Sequence, residues 1–402
     1  MFPDVNDQLA VIRRGVAEIF PENELVEKLK RSKAQNRPLR IKYGIDPTAP
    51  DVHLGHCVPI RKLRHFQDLG HQAVLIIGDY TAMVGDPSGK DETRRMLSHD
   101  EVLAKAKTYI QQIGKMLDMS KVEIRHNGDW FSKMTFQDVV RLAAKITVSR
   151  ILERDDFAKR LAEQAPISLH ECLYALMQAH DSVMIRADVE LGGTEQKFNL
   201  ALGRDLQRDA GQEPQICLTF PILVGTDGVR RMGKSLGNYI GIAEPPKEMF
   251  GKLMSIPDAA MRMYFELATD LPMADVGRLL AGHPRDAKVA LAKAIVARYH
   301  SAEAAEREAA EFDRVFSQRL MPQSIPSVEI PAAELKDGKL AIVKLITRCG
   351  FAKSNSEARR LIVQGGVTLD GQTLTDPQAD VPVKSDTVLQ VGKRRFARIR
   401  VE

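Results

Sequence analysis

Two histidines, His53 and His56, stand at the start of a predicted helix within the stretch DPTAPDVHLGH (46–56). Their i, i+3 spacing places both imidazole rings on one side of the first helical turn. Gly55 between them carries no side chain, so a flat ring or a ribose can pack against the backbone. Helix N-termini at the carboxyl edge of a sheet favour phosphate. The pattern therefore indicates nucleotide binding, although a pair of surface histidines without a function also fits this spacing.

A glycine-containing loop, VRRMGKSLGN (229–238), follows a predicted buried strand and carries cationic and hydroxyl groups. Arg231, Lys234 and Ser235 can all reach phosphate oxygens, and Gly233 allows the loop to fold over a ligand. The loop therefore indicates phosphate chemistry.

The stretch GDPSGK (85–90) allows two interpretations. It is not a Walker phosphate loop, because the G-x-x-x-x-G-K spacing fails and because Asp91, not Ser or Thr, follows Lys90. A plain Gly/Pro turn and a further functional loop both fit these residues.

Polar side chains line one face of a predicted helix after Ser168. Tyr174, Gln178 and Asp181 follow an i, i+4, i+7 spacing, where a helix that faces the core is expected to be apolar. Polar groups that converge on a buried face indicate a small polar ligand. A strand end and glycine turn, ELGGTEQKFN (190–199), follow this helix.

The elements that must position these residues alternate between strand and helix. Strands are predicted at 39–45, 72–77, 122–127 and 215–224, and helices at 99–117, 135–153 and 168–180. The Ser98-x-x-Glu101 capping box marks the start of helix 99–117. Alternating strands and helices imply a parallel sheet covered on both faces. The predicted fold class is therefore α/β, a Rossmann-like doubly wound parallel sheet with a helical insertion, followed by an all-helical domain and a small α+β domain.

We predict the following domain organisation from these patterns. The segments are a catalytic domain at 1–228 with a helical insertion at about 100–185, a mobile phosphate-binding loop at 229–245, a helical domain at 246–320, a linker at 321–335 and a small domain at 336–402.

Composition restricts the class of protein. The chain has 402 residues, 44% of them hydrophobic and 28% charged, which is ordinary for a globular protein. No apolar run approaches the length of a membrane span, and the N-terminus lacks the apolar region of a signal peptide. Four scattered cysteines without a CxxC pair favour reduced thiols in a cytoplasmic protein and support no metal site.

The H-x-G-H stretch and the R-M-G-K-S stretch together resemble the paired motifs of class I aminoacyl-tRNA synthetases, whose second motif is usually K-M-S-K-S. With YALMQAHD and ELGGTEQKFN included, the sequence resembles the bacterial tyrosyl-tRNA synthetase family over essentially its whole length. The resemblance implies ATP as a substrate with Mg²⁺, tyrosine and tRNA(Tyr) as the other substrates, and a homodimer formed through the insertion, where Trp130, Phe131 and Phe136 supply apolar side chains.

The resemblance also implies the role of each matched residue. Asp181 accepts a hydrogen bond from the substrate phenol, and Lys42 stands where a second phenol-reading group is expected. The remaining matches are Tyr174, Gln178 and Asp86 for the α-ammonium, Gln196 for the carboxylate, Thr48, His53 and His56 for the ATP phosphates, Lys90, Arg94, Arg231, Lys234 and Ser235 for pyrophosphate, and Asp46, Gly55, Gly193, Glu195 and Lys234 for the adenylate.

Three positions depart from the family pattern. Lys42 replaces a tyrosine, Glu195 replaces an aspartate and is one methylene longer, and Arg231 replaces a lysine with a different hydrogen-bonding geometry.

The C-terminal segment is basic. Residues 336–402 contain 13 Lys/Arg against 7 Asp/Glu, a net charge of +6, whereas the rest of the chain has a net charge of −1. This concentration indicates a polyanionic partner. The segment 339–374 resembles the S4 RNA-binding module, which implies contacts with tRNA from Lys353, Arg359, Arg360, Lys393, Arg394 and Arg395.

Two rival functions stay open at this point. A tryptophanyl enzyme shares the first two motifs, but Asp181 and the S4-like segment argue against it. An RNA-binding regulator that has lost catalysis is the other, and the intact His53, His56 and Lys234 argue against that.

Overall fold

A computed structural model of the chain describes residues 2–47, 51–88, 98–316, 325–392 and 395–402. It comprises two compact units, Met1–Glu306 and Arg307–Glu402. The predicted site residues that lie outside the described residues are Thr48, Lys90, Arg94, Lys393 and Arg394.

The first unit is built on a mixed sheet. Its strands are β1 (Glu18–Phe20), β2 (Arg40–Ile45), β3 (Gln72–Ile77), β4 (Val122–His126), β5 (Val189–Gly193) and β6 (Ile216–Phe220), in the spatial order β1-β6-β5-β2-β3-β4. All neighbours are parallel except the edge strand β1, which is antiparallel to β6. The chain moves outward from β2 to β4 and then returns to β5 on the other side of β2. The crevice at the carboxyl ends of β2 and β5 is therefore a topological switch point, where α/β proteins bind ligands.

Helices surround this sheet and continue after it. They are α1 (Val5–Arg13), α2 (Glu22–Gln35), α3 (Leu54–Asp68), α4 (Thr81–Val84), α5 (His99–Ile113), α6 (Gly128–Phe131), α7 (Phe136–Ala143), α8 (Val148–Leu152), α9 (Asp155–Ala162), α10 (Leu169–Ile185), α11 (Lys197–Asp209), α12 (Pro246–Ser255), α13 (Met261–Ala268), α14 (Met273–Ala281), α15 (Pro284–Tyr299) and α16 (Ala302–Phe316). The division between the two units falls within α16.

The strands that carry the site are buried because helices cover both faces of the sheet. Four of five residues in β5 and all five in β6 are buried, as continuous apolar parallel strands require. Helices α10 and α11 pack against each other through Ala175, Leu176, Ala179, Leu202 and Leu206.

After the end of α16, the described residues of the second unit form a five-stranded sheet, a two-stranded sheet and two α-helices. Its elements are β7 (Ser327–Ile330), β8 (Lys339–Ala341), α17 (Ile342–Arg348), α18 (Asn355–Val363), β9 (Val367–Leu369), β10 (Gln372–Leu374), β11 (Asp380–Pro382), β12 (Val388–Val391) and β13 (Arg395–Val401). The larger sheet has the order β10-β9-β12-β13-β7, and β11 pairs with β8. A continuous apolar core includes Ile342, Leu345, Ile362 and Ile399.

Several predicted elements are confirmed. The strand at 72–77 has the predicted bounds, and α3 begins directly after His53, its N-cap residue. The predicted capping box also forms, because Ser98 Oγ accepts from Glu101 N–H and the Glu101 carboxylate accepts from Ser98 N–H.

Two predictions about the elements are wrong. The helix predicted at 135–153 is two helices, α7 and α8, because Thr147 accepts a hydrogen bond from the Arg150 N–H and begins a new helix. The segment predicted as a linker at 321–335 contains β7, whose residues 327–330 pair in parallel with 398–401 of β13.

Candidate active site

Two adjoining cavities lie at the carboxyl ends of β2 and β5. The outer cavity is lined by residues from both sequence motifs, and the inner one extends beneath it between β2, β5 and α10. Asp46, Tyr174 and Gln196 line both cavities and form the boundary between them. The sites predicted for nucleotide and amino acid therefore adjoin each other.

The two motif histidines form a stacked pair at the N-terminus of α3, with ring centroids 3.6 Å apart. Burial lowers the pKa of His53 to about 4, and burial with the neighbouring His53 lowers the pKa of His56 to about 3. His56 Nδ1 accepts from the His53 N–H at 3.4 Å, so the proton of its neutral ring resides on Nε2. At neutral pH His56 is therefore an uncharged hydrogen-bond donor.

Backbone pairing joins the two motifs directly. The Leu54 N–H donates to Ile240 O at 3.0 Å, and the Ile242 N–H donates to Val52 O at 3.0 Å. The residues that precede α3 and those that follow the loop at 229–238 are therefore held together, although they are far apart in sequence.

Asn238 fixes the loop at 229–238 from within. This residue is 3% exposed, accepts from the Gly233 N–H at 2.9 Å and donates to Arg231 O at 3.1 Å. Arg231 and Ser235 line the outer cavity. Lys234 does not; its ammonium pairs with the Asp51 carboxylate, which raises the pKa of Lys234.

Asp46 is fixed at the boundary between the cavities. Its Oδ2 accepts from Tyr174 Oη at 2.8 Å, and its Oδ1 accepts from Thr81 Oγ1 at 2.8 Å. A Cβ at Gly78 would lie 2.1 Å from Asp46 Oδ1, so any larger residue there would displace this carboxylate. Predicted and unpredicted residues therefore combine to orient this carboxylate.

Asp181 lies buried at the inner cavity with 4% of its surface exposed. Trp130 Nε1–H donates to its Oδ1 at 3.0 Å and Asn127 Nδ2–H donates to its Oδ2 at 3.3 Å. Burial raises the pKa of Asp181 to about 7, against the opposing effects of the Lys42 charge and these two hydrogen bonds. Each carboxylate oxygen has one protein donor and can accept another from a ligand.

The surroundings of Lys42 correct its predicted role as a phenol-reading group. Lys42 lines the inner cavity, yet its ammonium contacts Gln178 O at 2.7 Å, Ser182 Oγ at 2.7 Å and Glu190 Oε1 at 2.9 Å. An ammonium has three hydrogens, and these acceptors use all of them. Lys42 therefore has no hydrogen left for a phenol, and it acts on Asp181 through its charge.

The predicted ammonium-binding and carboxylate-binding residues are joined by hydrogen bonds. Gln196 Nε2–H donates to Asp86 Oδ2 at 3.0 Å, while Gln196 Oε1 accepts from the Gly193 N–H at 3.1 Å. The Glu195 carboxylate lies against Gly193, where a Cβ would come within 2.3 Å of Glu195 Oε2. The longer side chain of Glu195 is accommodated because Gly193 leaves this space.

The structure brings most of the predicted catalytic and substrate residues together. Those that line one or both cavities are Lys42, Asp46, His53, Gly55, His56, Asp86, Tyr174, Gln178, Asp181, Gly193, Glu195, Gln196, Arg231 and Ser235. Lys234 is adjacent but outside the cavity lining.

Five features of the site are not predictable from the motifs: Gly78, Thr81, Asn127, Asn238 and the role of Trp130. Asn127 directly follows β4, and the carboxyl ends of parallel strands are where ligand-binding residues gather. That position was the available signal for Asn127. Trp130 was predicted to supply a dimer surface, but it and Phe131 are 6% and 5% exposed, because both pack inside the same chain.

In the second unit, Lys353 is exposed just before α18, and Arg359 and Arg360 are exposed in the second half of that helix. Arg395 differs from them, because its guanidinium donates to the Phe351 carbonyl and so also supports the fold of this unit.

In the part of the chain that the structure describes, no group of three or more His, Cys, Asp or Glu side chains could hold a metal ion. Over the same residues, no helix combines the length and apolarity needed to cross a membrane.

Comparison with known proteins gives consistent matches. The family model described as tRNA synthetases class I (W and Y) matches residues 33–317, and the S4 domain model matches residues 342–388. The tyrosine--tRNA ligase of Moorella thermoacetica is 53% identical over 98% of this chain and 96% of its own length. That of Aquifex aeolicus is 48% identical over 98% of each chain.

Solved structures share the fold. The Archaeoglobus fulgidus tyrosyl-tRNA synthetase, solved with L-tyrosine, has a TM-score of 0.60 and 23% identity, covering 76% of this chain and all of that one. A truncated mitochondrial tyrosyl-tRNA synthetase from Aspergillus nidulans has a TM-score of 0.63 and 21% identity, covering 78% of this chain and 94% of that one.

Proposed function

Because the chain belongs to the class I tRNA synthetases for tryptophan and tyrosine, and within them to the tyrosine--tRNA ligases, we propose that its inner cavity holds tyrosine and its outer cavity holds ATP. The enzyme activates tyrosine with ATP to give tyrosyl-adenylate and pyrophosphate. It then transfers the tyrosyl group to the 3′ end of tRNA(Tyr).

Activation requires a bond to form between a tyrosine carboxylate oxygen and the α-phosphorus while the bond to pyrophosphate breaks. The carboxylate is already ionised, so no side chain has to remove a proton. Catalysis then depends on orientation and on donors that meet the charge developing on the phosphates. The uncharged donor His56 and the cationic Arg231 support this role, since both line the outer cavity.

Further contacts with ATP follow from the family resemblance. Thr48, Lys90 and Arg94 are proposed to act on the phosphates, and Asp46, Gly55, Gly193 and Glu195 to hold the adenylate. Mg²⁺ is proposed to arrive bound to the ATP phosphates.

In the inner cavity, the Asp181 carboxylate is proposed to accept the phenol O–H of tyrosine. This is the observation that carries the proposal, since a buried carboxylate held by two N–H donors retains acceptor capacity toward the cavity. Asp86, Tyr174 and Gln178 are proposed to bind the α-ammonium, and Gln196 the carboxylate. Lys42 is proposed to stabilise the charge of Asp181.

The basic second unit is proposed to bind tRNA, with Lys353, Arg359 and Arg360 as contacts to phosphate. The protein is further proposed to act in the cytoplasm as a homodimer. Phe136, Val148 and Leu169 support an interface at the helices between β4 and β5, because each is more than 70% exposed in the single chain.

Amino-acid-dependent exchange of pyrophosphate into ATP tests the proposal. Tyrosine is expected to support exchange at far lower concentration than phenylalanine or tryptophan. A preference for tryptophan would reassign the inner cavity, and absence of exchange with all three would leave the chain as an RNA-binding protein without activation chemistry.

A further inference from the structure

A buried arginine lies outside the residues assigned to the reaction. Arg154 is the N-cap residue of α9, in the helical segment between β4 and β5, and it is 3% exposed. Its guanidinium forms two hydrogen bonds with the Asp156 carboxylate, both of 3.1 Å, and lies 4.8 Å from the centre of the Phe157 ring. These contacts fix its position and leave hydrogens that point elsewhere.

The remaining N–H groups of Arg154 start two chains of hydrogen bonds that lead to the tyrosine site. We call these chains the two routes. Nη1–H donates to Asn199 Oδ1 at 3.1 Å, and Nη2–H donates to Ser88 Oγ at 3.0 Å. Asn199 is completely buried and Ser88 is 6% exposed. Each of these residues in turn contacts a residue proposed to bind the α-ammonium.

The first route determines the orientation of two amides. Asn199 Oδ1 faces Arg154, so its Nδ2–H donates to Gln178 Oε1 at 2.8 Å, and Gln178 Nε2–H then donates to Glu190 Oε1 at 3.0 Å. An arginine can only donate and a carboxylate can only accept. With a donor at one end and an acceptor at the other, both amides have a single orientation, which directs the Gln178 oxygen to one side of the cavity.

The second route reaches Asp86. The Ser88 N–H donates to Asp86 Oδ1 at 2.9 Å, and Asp86 Oδ2 accepts from Gln196 Nε2–H. The hydroxyl of Ser88 is held by Arg154, so the turn that orients Asp86 is tied to the same guanidinium. One buried cation therefore orients both acceptors.

We infer that Arg154 is a positioning residue for the ammonium side of the tyrosine site, acting through Asn199 on Gln178 and through Ser88 on Asp86. The inference rests on the proposed assignment of Gln178 and Asp86 to the α-ammonium. It predicts that loss of the Arg154 contacts weakens the binding of ligands that carry an ammonium group more than the binding of ligands that lack one.

Three ligands and two matched substitutions test this. Tyrosine and tyramine carry the ammonium, whereas 3-(4-hydroxyphenyl)propionate lacks it but keeps the phenol. Arg154→Lys preserves the charge and loses the forked geometry. It is expected to weaken tyrosine and tyramine binding by about tenfold, the order of one misplaced hydrogen bond to a charged group, and to weaken binding of the propionate clearly less.

Arg160→Lys is the control. Arg160 is 1% exposed, lies on the same helix and pairs with Glu171, so this change loosens α9 without touching either route. It is expected to affect all three ligands equally or not at all. An equal loss for all three ligands in Arg154→Lys, or the same ammonium-selective loss in Arg160→Lys, would overturn the inference.

Further variants keep the test decisive. If Arg154→Lys does not fold, Ser88→Ala and Asn199→Leu interrupt the two routes separately. The inference is contradicted if neither variant shows an ammonium-selective loss of affinity. Gln178→Ala tests the underlying assignment. If that variant keeps the full ammonium contribution, the site assignment fails; if it loses that contribution while Arg154→Lys does not, only the inference about Arg154 fails.

Discussion

At the residue scale, Asp181 is the group that can distinguish tyrosine from phenylalanine. Its two N–H donors hold the carboxylate in place, and phenylalanine would leave it without the phenol hydrogen. We predict that Asp181→Ala lowers kcat/KM for tyrosine by roughly 10²-fold, the order of a lost hydrogen bond to a charged group, while phenylalanine changes little. Pyrophosphate exchange with both amino acids measures the ratio, and an unchanged ratio would remove Asp181 from the specificity site.

The raised pKa of Asp181 gives this preference a pH dependence. Because the pKa is about 7, the carboxyl gains a proton between pH 8 and pH 6, and phenylalanine then leaves a neutral group unpaired instead of a charge. The ratio of tyrosine affinity to phenylalanine affinity, measured by equilibrium binding without ATP, is therefore expected to fall as the pH is lowered from 8 to 6.

The same group affects folding with a definite sign. Its folded pKa of about 7 lies above the unfolded value of 3.8, so the folded state loses stability as pH rises from about 4 to about 7, and the loss is complete above pH 7. Asp181→Asn is therefore expected to raise Tm more at pH 8 than at pH 5, measured by thermal unfolding. An equal change at both pH values would contradict the raised pKa.

Residue types predicted the chemistry better than they predicted contacts. Asp181, His53 and His56 were predicted from spacing and resemblance, because each lies in a short local motif: YALMQAHD for Asp181 and H-x-G-H for the two histidines. Asn127 and Thr81 were missed, since each reaches the site only through the order of the strands. The partners of Lys42 are likewise set by strand pairing, which a single sequence does not reveal.

At the element scale, the loop at 229–238 is fixed at Asn238, while its lysine is held by Asp51 outside the cavity lining. We predict that Lys234→Ala slows adenylate formation by about 10²–10³-fold, as expected when one donor to a developing charge is lost, without changing tyrosine affinity. Single-turnover kinetics measures the first quantity and equilibrium binding the second.

Asp51→Asn is the matched variant, because it frees Lys234 without removing it. Exposed ion pairs contribute about 0–1 kcal/mol, so KM for ATP is expected to fall by at most about fivefold while the rate at saturating ATP stays the same. A rate loss as large as that of Lys234→Ala would make Asp51 part of the chemistry instead.

Element boundaries were predictable where local signals agreed. The strand at 72–77 and the start of α3 follow from apolar pattern and helix capping. The break between α7 and α8 was not predicted, because apolar periodicity continues across it while the Thr147 side chain starts a new helix. The strand β7 was hidden among prolines, and only its pairing with distant β13 defines it.

At the scale of the whole molecule, the second unit is expected to serve tRNA and not activation. A chain that ends at Phe316 is predicted to keep tyrosine-dependent pyrophosphate exchange, to lose most tRNA charging and to show a smaller salt dependence of tRNA binding. A chain that ends at residue 335 is the comparison, since it retains β7 without its partner β13 and is expected to aggregate more readily. Normal charging by the shorter chain would require another role for the second unit.

The exposed apolar side chains of the helices between β4 and β5 predict a dimer. Phe136 and Leu169 are 83% and 80% exposed. In light scattering, we expect the unchanged protein to have about twice the 44.8 kDa mass of one chain. The double variant Phe136→Glu, Leu169→Glu is expected to have the mass of a single chain. Val363→Glu is the control, since it changes an exposed apolar residue of the second unit. A monomer before substitution would contradict the proposed interface.

The pairing of Lys42 with Glu190 across neighbouring strands limits the paths by which this pocket can evolve. Both side chains are at most 1% exposed, so removing either one leaves the other as an unpaired buried charge. This lowers the free energy of unfolding by about 3–5 kcal/mol. A single substitution at either position is therefore strongly disfavoured. A joint exchange for two neutral, well-packed residues costs little folding stability. We therefore expect residues 42 and 190 to change together in evolution. Directed evolution toward a new amino-acid substrate would need both substitutions at once, or a starting protein stable enough to tolerate the single ones.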